Sequence, residues 1–225
     1  MKKLLLFFFF IQVSLQAQDI LFVGNSLTYS NNMPEVLEYI GKKNGVSIKT
    51  KSLCFPNYAI IDHLNQGLLQ KLLEKQSFDY VIIQQGPSSQ EQGKQMLLED
   101  GAKMKVLCNK YNIKLGYYMV WPSVRYYHIF NKVIENHTLA AKQNNAMLFP
   151  VGTVWKEYNT YKEKENLYSL DNFHPSKTGS FLAALTIFHQ LYPTKNLQQL
   201  PFKKYRKWVT DEDSFNLLIQ LVEKH

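Results

Sequence analysis

The stretch ILFVGNSLTYSNN, residues 20–32, places a short apolar run directly against Gly24, Asn25 and Ser26. A continuous apolar run is typical of a strand that is buried on both faces, and the polar residues after it are typical of a helix start. The stretch therefore predicts a strand, a tight turn and a helix. Two interpretations of the turn compete: a simple helix cap, or a turn that presents Ser26 as a nucleophile.

Four more strand-like segments follow along the chain, and helix-like segments separate them. The helical segments carry apolar residues at helical spacing, as in Leu97, Met104 and Cys108. Such alternation is the pattern of a parallel sheet covered by helices on both faces. We expect an α/β protein, a three-layer αβα sandwich with a central, mainly parallel five-stranded sheet. The strand candidates are residues 20–23, 46–53, 80–84, 113–120 and 146–151.

The first 17 residues, MKKLLLFFFFIQVSLQA, have the order of a secretory signal peptide: two lysines, an apolar run and a small residue before Gln18. The apolar run is too short to cross a bilayer as a helix. We expect cleavage after Ala17 and a periplasmic or secreted protein without an integral membrane segment. Residues 18–225 are expected to form a single domain with a C-terminal helical tail.

The chain has 26 basic and 18 acidic residues, which gives a formal net charge of +8. The basic residues are scattered apart from the run KKYRKW, residues 203–208. That run fits a solvated face, or attraction to acidic glycans or to a membrane surface. No recognition motif accompanies it and export argues against nucleic acid, so we expect no nucleic-acid partner.

The chain has only two cysteines, Cys54 and Cys108. Two buried thiols are the favoured interpretation, although an oxidising compartment leaves a disulfide open. No further ligands stand at metal-binding spacing, so the sequence predicts neither a metal nor another cofactor.

The segment DNFHPS places Asp171 three residues before His174, ahead of a predicted helix over residues 176–191. In parallel sheets, ligands bind beyond the carboxyl ends of the strands, and this segment can return to the first loop there. An aspartate can hold a histidine ring in the tautomer that accepts a serine proton. An Asp-His pair that only caps the helix is an equally open interpretation of these residues alone.

The blocks FVGNSLTYSNNMP and DNFHPSKTGSFLAA together resemble those of the SGNH (GDSL-like) hydrolases. The segment DYVIIQQGPSSQ is similar to the third block of that family, with Gly86 at its glycine. The resemblance spans residues 19–184 and implies the flavodoxin-like fold of the family. It also implies that Ser26 is the nucleophile, His174 the general base and acid, and Asp171 its orienting partner.

The middle blocks depart from the family pattern. The asparagine that would donate to the oxyanion falls at Ser88, and the second block has no evident glycine, with Asn57 nearby. The backbone N–H of Ser26 can still contribute, and we expect Asn57, Gln84 or Ser88 to supply the remaining donors. A changed oxyanion hole is consistent with a changed substrate or with lost activity.

Sequence and resemblance together predict an exported serine esterase that hydrolyses acyl esters through an acyl-enzyme. An acetylated or otherwise acylated carbohydrate is the expected substrate class. Two alternatives stay open: a catalytically silent carbohydrate-binding protein on the same scaffold, and an acyltransferase that uses the same triad. The oligomeric state is not predicted.

Other residues near the predicted cleft have less specific interpretations. Aromatic side chains there fit either sugar stacking or packing of the loop layer, and they are Tyr29, Trp121, Tyr126 and Tyr127. Four histidines without a matched partner are expected to be structural or on the surface, and they are His63, His128, His137 and His189.

Overall fold

A five-stranded parallel sheet forms the centre of the protein, whose computed structural model describes residues 17–225. The strands are β1 (Gln18–Gly24), β2 (Ile48–Cys54), β3 (Tyr80–Ile83), β4 (Lys114–Tyr118) and β5 (Met147–Phe149). Their order is β2-β1-β3-β4-β5, and each neighbouring pair is parallel. The order reverses between β1 and β3, which creates the switch point where ligands bind in such sheets.

Helices cover both faces of the sheet. They are α1 (Ser26–Tyr29), α2 (Met33–Lys43), α3 (Ile60–Gln66), α4 (Leu68–Lys75), α5 (Glu91–Lys110), α6 (Phe130–Gln143), α7 (Val151–Tyr158), α8 (Lys177–Leu191) and α9 (Glu212–Lys224). Side chains of a strand alternate between its faces. Ile20 and Phe22 of β1 therefore join the core formed with α2, α7, α8 and α9, and Leu21 and Val23 join the core with α3, α4 and α5.

The predicted fold class is confirmed, and every predicted strand is present. The predicted strand ends differ from the observed ones by at most two residues. β1 begins earlier than predicted because the polar residues Gln18 and Asp19 also pair with β2, whereas β4 and β5 are shorter than predicted because apolar residues continue past the paired segments. Val120 and Val151, for example, lie outside β4 and β5 and are fully buried beneath the helices. The predicted tail helix is α9, which packs against α7 and α8.

The two cysteines are both free thiols. Cys54 packs at the α2 and α8 side of the sheet and Cys108 lies in the core on the opposite side, so the sheet separates them. A disulfide would require the two Cα atoms to lie within about 7 Å. Burial raises the pKa of each thiol to about 12.

No helix within residues 17–225 has the length and apolar character needed to cross a bilayer. The predicted signal peptide lies outside the described residues apart from Ala17.

Candidate active site

Ser26 is the first residue of α1 and stands at the carboxyl end of β1, beside the switch point. Asn25, the residue before it, caps the helix, since its side-chain oxygen accepts a hydrogen bond from the Leu27 N–H at 3.1 Å. The Asn25 amide also donates to the Tyr58 carbonyl oxygen at 3.0 Å. The turn therefore caps the helix through Asn25, and the Ser26 hydroxyl is not needed as a cap. That hydroxyl can bond to another partner.

That partner is His174. Its Nε2 atom lies 2.8 Å from Ser26 Oγ, and its Nδ1 atom lies 2.5 Å from Asp171 Oδ2. A carboxylate only accepts hydrogen bonds, so its contact places the ring proton on Nδ1 and leaves Nε2 as an acceptor. The structure thus brings together the three residues that the sequence singled out, from segments 148 positions apart.

The second oxygen of Asp171 organises the loop that carries the histidine. Oδ1 accepts from the Ser169 hydroxyl at 2.7 Å and from the backbone N–H groups of Phe173 and His174 at 3.0 and 2.9 Å. These donors, the Ser169 hydroxyl above all, and the His174 ring hold the pKa of Asp171 far below its usual range. The carboxylate therefore stays charged at every pH where a histidine titrates.

Two side chains from distant segments hold this loop in place. Trp121, which is fully buried, donates from Nε1 to the Phe173 carbonyl oxygen at 3.0 Å. Asn31 donates from Nδ2 to the Pro175 carbonyl oxygen at 2.9 Å, and also to the Ser180 hydroxyl. The residues on both sides of the histidine are thereby fixed.

Gln84 braces the nucleophile turn from the end of β3. Its side chain is buried, and Oε1 accepts from the Asn25 N–H at 2.9 Å and from the Thr28 hydroxyl at 2.8 Å. A Cβ atom at Gly24 would lie 2.6 Å from that oxygen, so the glycine makes room for the glutamine. On the other side of the turn, His63 donates from Nε2 to the Gly24 carbonyl oxygen at 2.9 Å.

The three side chains predicted to line the oxyanion hole differ in what they contact. Gln84 turns its oxygen to the turn, and its amide nitrogen is buried without a partner among residues 17–225. The Ser88 hydroxyl, also buried, donates to the Gly86 carbonyl oxygen at 3.0 Å and accepts from Gln85. Asn57 is exposed in the turn after β2, at a φ of 62°. The Gln84 side-chain oxygen and the Ser88 hydroxyl are thus engaged in holding loops, which the sequence could not reveal. The Gln84 amide nitrogen and the Asn57 side chain have no hydrogen-bond partner among the described residues.

The backbone of the nucleophile turn offers one donor for negative charge. The amide of Asn25 is taken by Gln84 and that of Leu27 by the Asn25 side chain. The amide of Ser26, the first in its helix, has no acceptor in the described part of the chain. It is the group available to an oxyanion formed at Ser26.

A groove of about 500 Å³ opens next to Asp171. Pro87, Ile129 and Phe173 give it a mostly apolar wall, and Arg125 and Tyr126 stand at its exposed side. The Arg125 guanidinium lies 5.5 Å from the centre of the Tyr126 ring. The groove connects the Asp171 loop with the loops that follow β3 and β4.

Of the four aromatic residues considered from the sequence, Tyr126 is exposed in this groove. Trp121 is core, Tyr127 is half-buried against Phe130, and Tyr29 faces a different hollow beside β2. Tyr126 is therefore the one whose position suits stacking on a ligand in the groove.

The remaining histidines have no place in the triad. His63 is buried at the nucleophile turn, and burial lowers its pKa. His137 is fully buried, and burial lowers its pKa to about 4. His128 is exposed and His189 is half-buried. No group of three metal-ligating side chains is found within residues 17–225.

Comparison with known proteins shows the fold. No protein-family profile and no curated protein sequence matches the chain. A DUF4886 family protein from Bacteroides uniformis ATCC 8492 is 15% identical with a TM-score of 0.78, covering 93% of this chain and 94% of that one. A candidate SGNH hydrolase from Slackia heliotrinireducens is 22% identical with a TM-score of 0.67, covering 78% and 100%.

The acetyl xylan esterase AlAXEase is 15% identical with a TM-score of 0.58, covering 76% of this chain and 98% of that one. These neighbours include hydrolases and esterases, and at such identities the likeness establishes architecture. The chain has the α/β sandwich fold of the SGNH and GDSL-type hydrolases, as the resemblance of its blocks implied.

Proposed function

We propose that the protein is a serine esterase in which Ser26 attacks the ester, His174 moves the proton and Asp171 holds the ring. One observation carries the proposal: an unbroken line of hydrogen bonds runs from Asp171 Oδ2 through the imidazole to Ser26 Oγ, at 2.5 and 2.8 Å. A serine hydroxyl becomes a nucleophile when a base accepts its proton, and Nε2 stands at that position.

In the first half of the reaction, Ser26 Oγ bonds to the ester carbonyl carbon while its proton passes to His174 Nε2. The carbonyl electron pair moves onto the oxygen, which accepts a hydrogen bond from the Ser26 N–H. The imidazolium, stabilised by Asp171, then returns the proton to the leaving alcohol as the carbon–oxygen bond breaks. An acyl-enzyme remains on Ser26.

In the second half, water loses a proton to the same nitrogen as its oxygen bonds to the acyl carbon. The bond between the acyl carbon and Ser26 Oγ then breaks, and His174 returns the proton to Ser26 Oγ, which releases the acid. The site is open, because the side chains of Asp171 and His174 are 51% and 36% exposed. Water can reach the acyl-enzyme in such a site, as hydrolysis requires.

An acylated carbohydrate, with acetyl as the acyl group, is the substrate class that we propose. An open cleft suits a polymer, Tyr126 offers a ring for stacking on a sugar, and one structural neighbour is an acetyl xylan esterase. The leader sequence supports export, and residues 18–225 would act outside the cytoplasm as a single domain.

The test is hydrolysis by the chain from Gln18 onward of 4-nitrophenyl acetate, and release of acetate from acetylated xylan. Ser26→Ala should lower kcat by roughly a thousandfold or more, because the triad acts as a unit. Ser52→Ala, at an exposed serine of β2, is the matched control and should match the wild type. If Ser26→Ala hydrolyses the ester at the wild-type rate, Ser26 is not the nucleophile and the proposed mechanism is refuted. Wild-type binding to xylan without hydrolysis supports the silent binding protein instead.

A further inference from the structure

Two long stretches of the chain, residues 39–61 and 172–210, contain no aspartate or glutamate. Together they hold ten of the 26 basic residues and none of the 18 acidic ones. The basic residues are four in the first stretch and six in the second: Lys42, Lys43, Lys49, Lys51, Lys177, Lys195, Lys203, Lys204, Arg206 and Lys207.

The fold packs these two stretches side by side. Helix α2 lies against α8, and the Tyr39 hydroxyl donates to the Lys204 carbonyl oxygen at 3.0 Å. Lys195 donates from Nζ to the Asn44 carbonyl oxygen, also at 3.0 Å. The exposed cations at the end of α2 and in residues 203–207 therefore share one face. We call it the basic surface, and it consists of Lys42, Lys43, Lys203, Lys204, Arg206 and Lys207.

None of these six cations forms an ion pair within residues 17–225. Lys207 rests on aromatic rings instead, with Nζ 3.9 Å from the centre of the Trp208 ring and 4.5 Å from that of Tyr39. Two carboxylates lie at the edge, and Glu38 is engaged with the backbone and hydroxyl of Thr50. Glu35 is the other carboxylate that lines the hollow beside Lys42 and Lys207, and it is exposed.

We propose that the basic surface binds an acidic polysaccharide through its repeated carboxylate or sulfate groups. A continuous face of unpaired cations attracts and retains a polymer with regularly spaced anions. Tyr205 and Trp208 in this face are 0% and 9% exposed, and Tyr39 is half-buried with Lys207 over its ring, so no exposed ring offers a platform on which nucleic-acid bases could stack. No large hydrophobic side chain in the two stretches is exposed, so the face has nothing to insert into a bilayer.

The basic surface also continues toward the candidate active site. A hollow shared by Lys42, Lys207 and Trp208 is lined by Asn31, whose side chain bonds to the Pro175 carbonyl oxygen beside the triad histidine. A polymer that runs along the surface past Asn31 would reach the loop that carries His174. This last step rests on the proposed esterase, whereas binding itself does not.

Binding to polygalacturonate, measured by calorimetry, tests the proposal. One variant carries Lys42→Gln, Lys203→Gln, Lys204→Gln and Lys207→Gln. The matched control has the same net charge and carries Lys71→Gln, Lys75→Gln, Lys142→Gln and Lys162→Gln, all exposed elsewhere. We expect the first variant to bind about tenfold more weakly or worse and the control to stay within about twofold of the wild type. Wild-type affinity should fall about tenfold between about 50 and about 200 mM salt.

If both variants lost the same affinity for polygalacturonate, binding would depend on net charge alone, and the proposal would be overturned. Tighter binding to duplex DNA, or to vesicles of phosphatidylglycerol, than to polygalacturonate would overturn the choice of partner. So would equal binding to neutral dextran. Ser26→Ala should bind polygalacturonate as the wild type does, so a failed esterase assay leaves this result unaffected.

Discussion

At the scale of single residues, Asp171 divides its two oxygens between two tasks. Oδ2 contacts the imidazole of His174, and Oδ1 accepts hydrogen bonds from the Ser169 hydroxyl and from two backbone N–H groups of the loop. The same carboxylate thus shapes the segment that carries the histidine and fixes the tautomer of its ring. The pair Asp-x-x-His can be recognised in the sequence. The hydrogen bond from Ser169 to Asp171 cannot, because it forms only when the loop folds back on itself.

The pH dependence of the reaction follows from this arrangement. Because the pKa of Asp171 lies far below its usual range, the carboxylate stays charged throughout the pH range in which the enzyme would be assayed. Only neutral imidazole accepts the serine proton, so kcat/KM should fall tenfold per pH unit on the acid side of the range where histidines titrate, with one proton involved. Initial rates from about pH 4.5 to 9 measure this. A flat profile, or a two-proton acid limb, would contradict the assignment.

At the scale of elements, the nucleophile turn is held by segments that are far apart in sequence. The end of β3 supplies Gln84, α3 supplies His63, and the loop after β2 supplies the Tyr58 carbonyl oxygen. Each of these contacts falls on Gly24 or Asn25, directly before the serine. Misplacing a catalytic group by about 1 Å can cost on the order of a hundredfold in rate.

Gln84→Leu should therefore lower kcat by about ten- to a hundredfold with KM little changed, because it removes the acceptor that holds the turn. Gln84→Glu keeps an acceptor for the same two donors and should recover part of the loss. Steady-state kinetics with 4-nitrophenyl acetate give both constants.

The matched control for this change is Gln85→Leu, next in the chain and equally buried, whose side chain bonds to Ser88 and Gly93 instead. It should lower thermal stability and leave kcat near the wild-type value. An identical loss of kcat in both variants would show that Gln84 acts through general stability alone.

The elements themselves were predictable from sequence, since buried parallel strands and amphipathic helices leave distinct apolar patterns. The orientation of side chains at their ends was not. Ser88 was expected as an oxyanion donor by its position in a block, and Gln84 as an alternative donor. The Ser88 hydroxyl bonds within its own loop, whereas the Gln84 side-chain oxygen accepts from the distant nucleophile turn. Their role toward an oxyanion stays a prediction. Composition cannot show which end of an amide faces a turn, nor that a hydroxyl is already engaged.

At the scale of the whole molecule, Glu165 fastens the C-terminal region to the rest of the protein. Its carboxylate accepts from the backbone N–H groups of Thr210 and Asp211 at 2.6 and 2.7 Å, and also from the Thr178 hydroxyl on α8. Burial opposes its charge, but these hydrogen bonds outweigh burial and lower the pKa of Glu165. The charged form is therefore the one that stabilises the fold.

Glu165→Gln should lower the melting temperature by about 2–4 °C at pH 7, which corresponds to about 1 kcal/mol in a chain of this size. A lowered carboxyl pKa stabilises the folded state above the unfolded value of about 4.3 and loses that effect as pH falls through the folded value. The difference between variant and wild type should thus shrink below about pH 4.

Glu163→Gln is the control, because Glu163 is exposed two residues away and has no described side-chain contact. Its melting temperature should match the wild type at each pH. A Glu165→Gln difference that persists unchanged at acid pH would refute the role given to the charge.

The basic surface is a property of the whole fold. The acid-free stretches are visible in the sequence, and the run at residues 203–208 suggested an acidic partner. The two stretches lie on one face because α2 packs against α8, and the spacing of apolar residues in the sequence does not specify which helices pack together. Sequence showed the charges, and the tertiary structure showed that they share a surface.

Labelling by an ethyl fluorophosphonate, followed by peptide mass spectrometry, tests whether His174 activates Ser26. We predict a single adduct on Ser26 and a labelling rate that falls by roughly a thousandfold in His174→Ala. An adduct on another residue would exclude Ser26 as the nucleophile, and equal labelling rates in the two proteins would exclude His174 as its activating base.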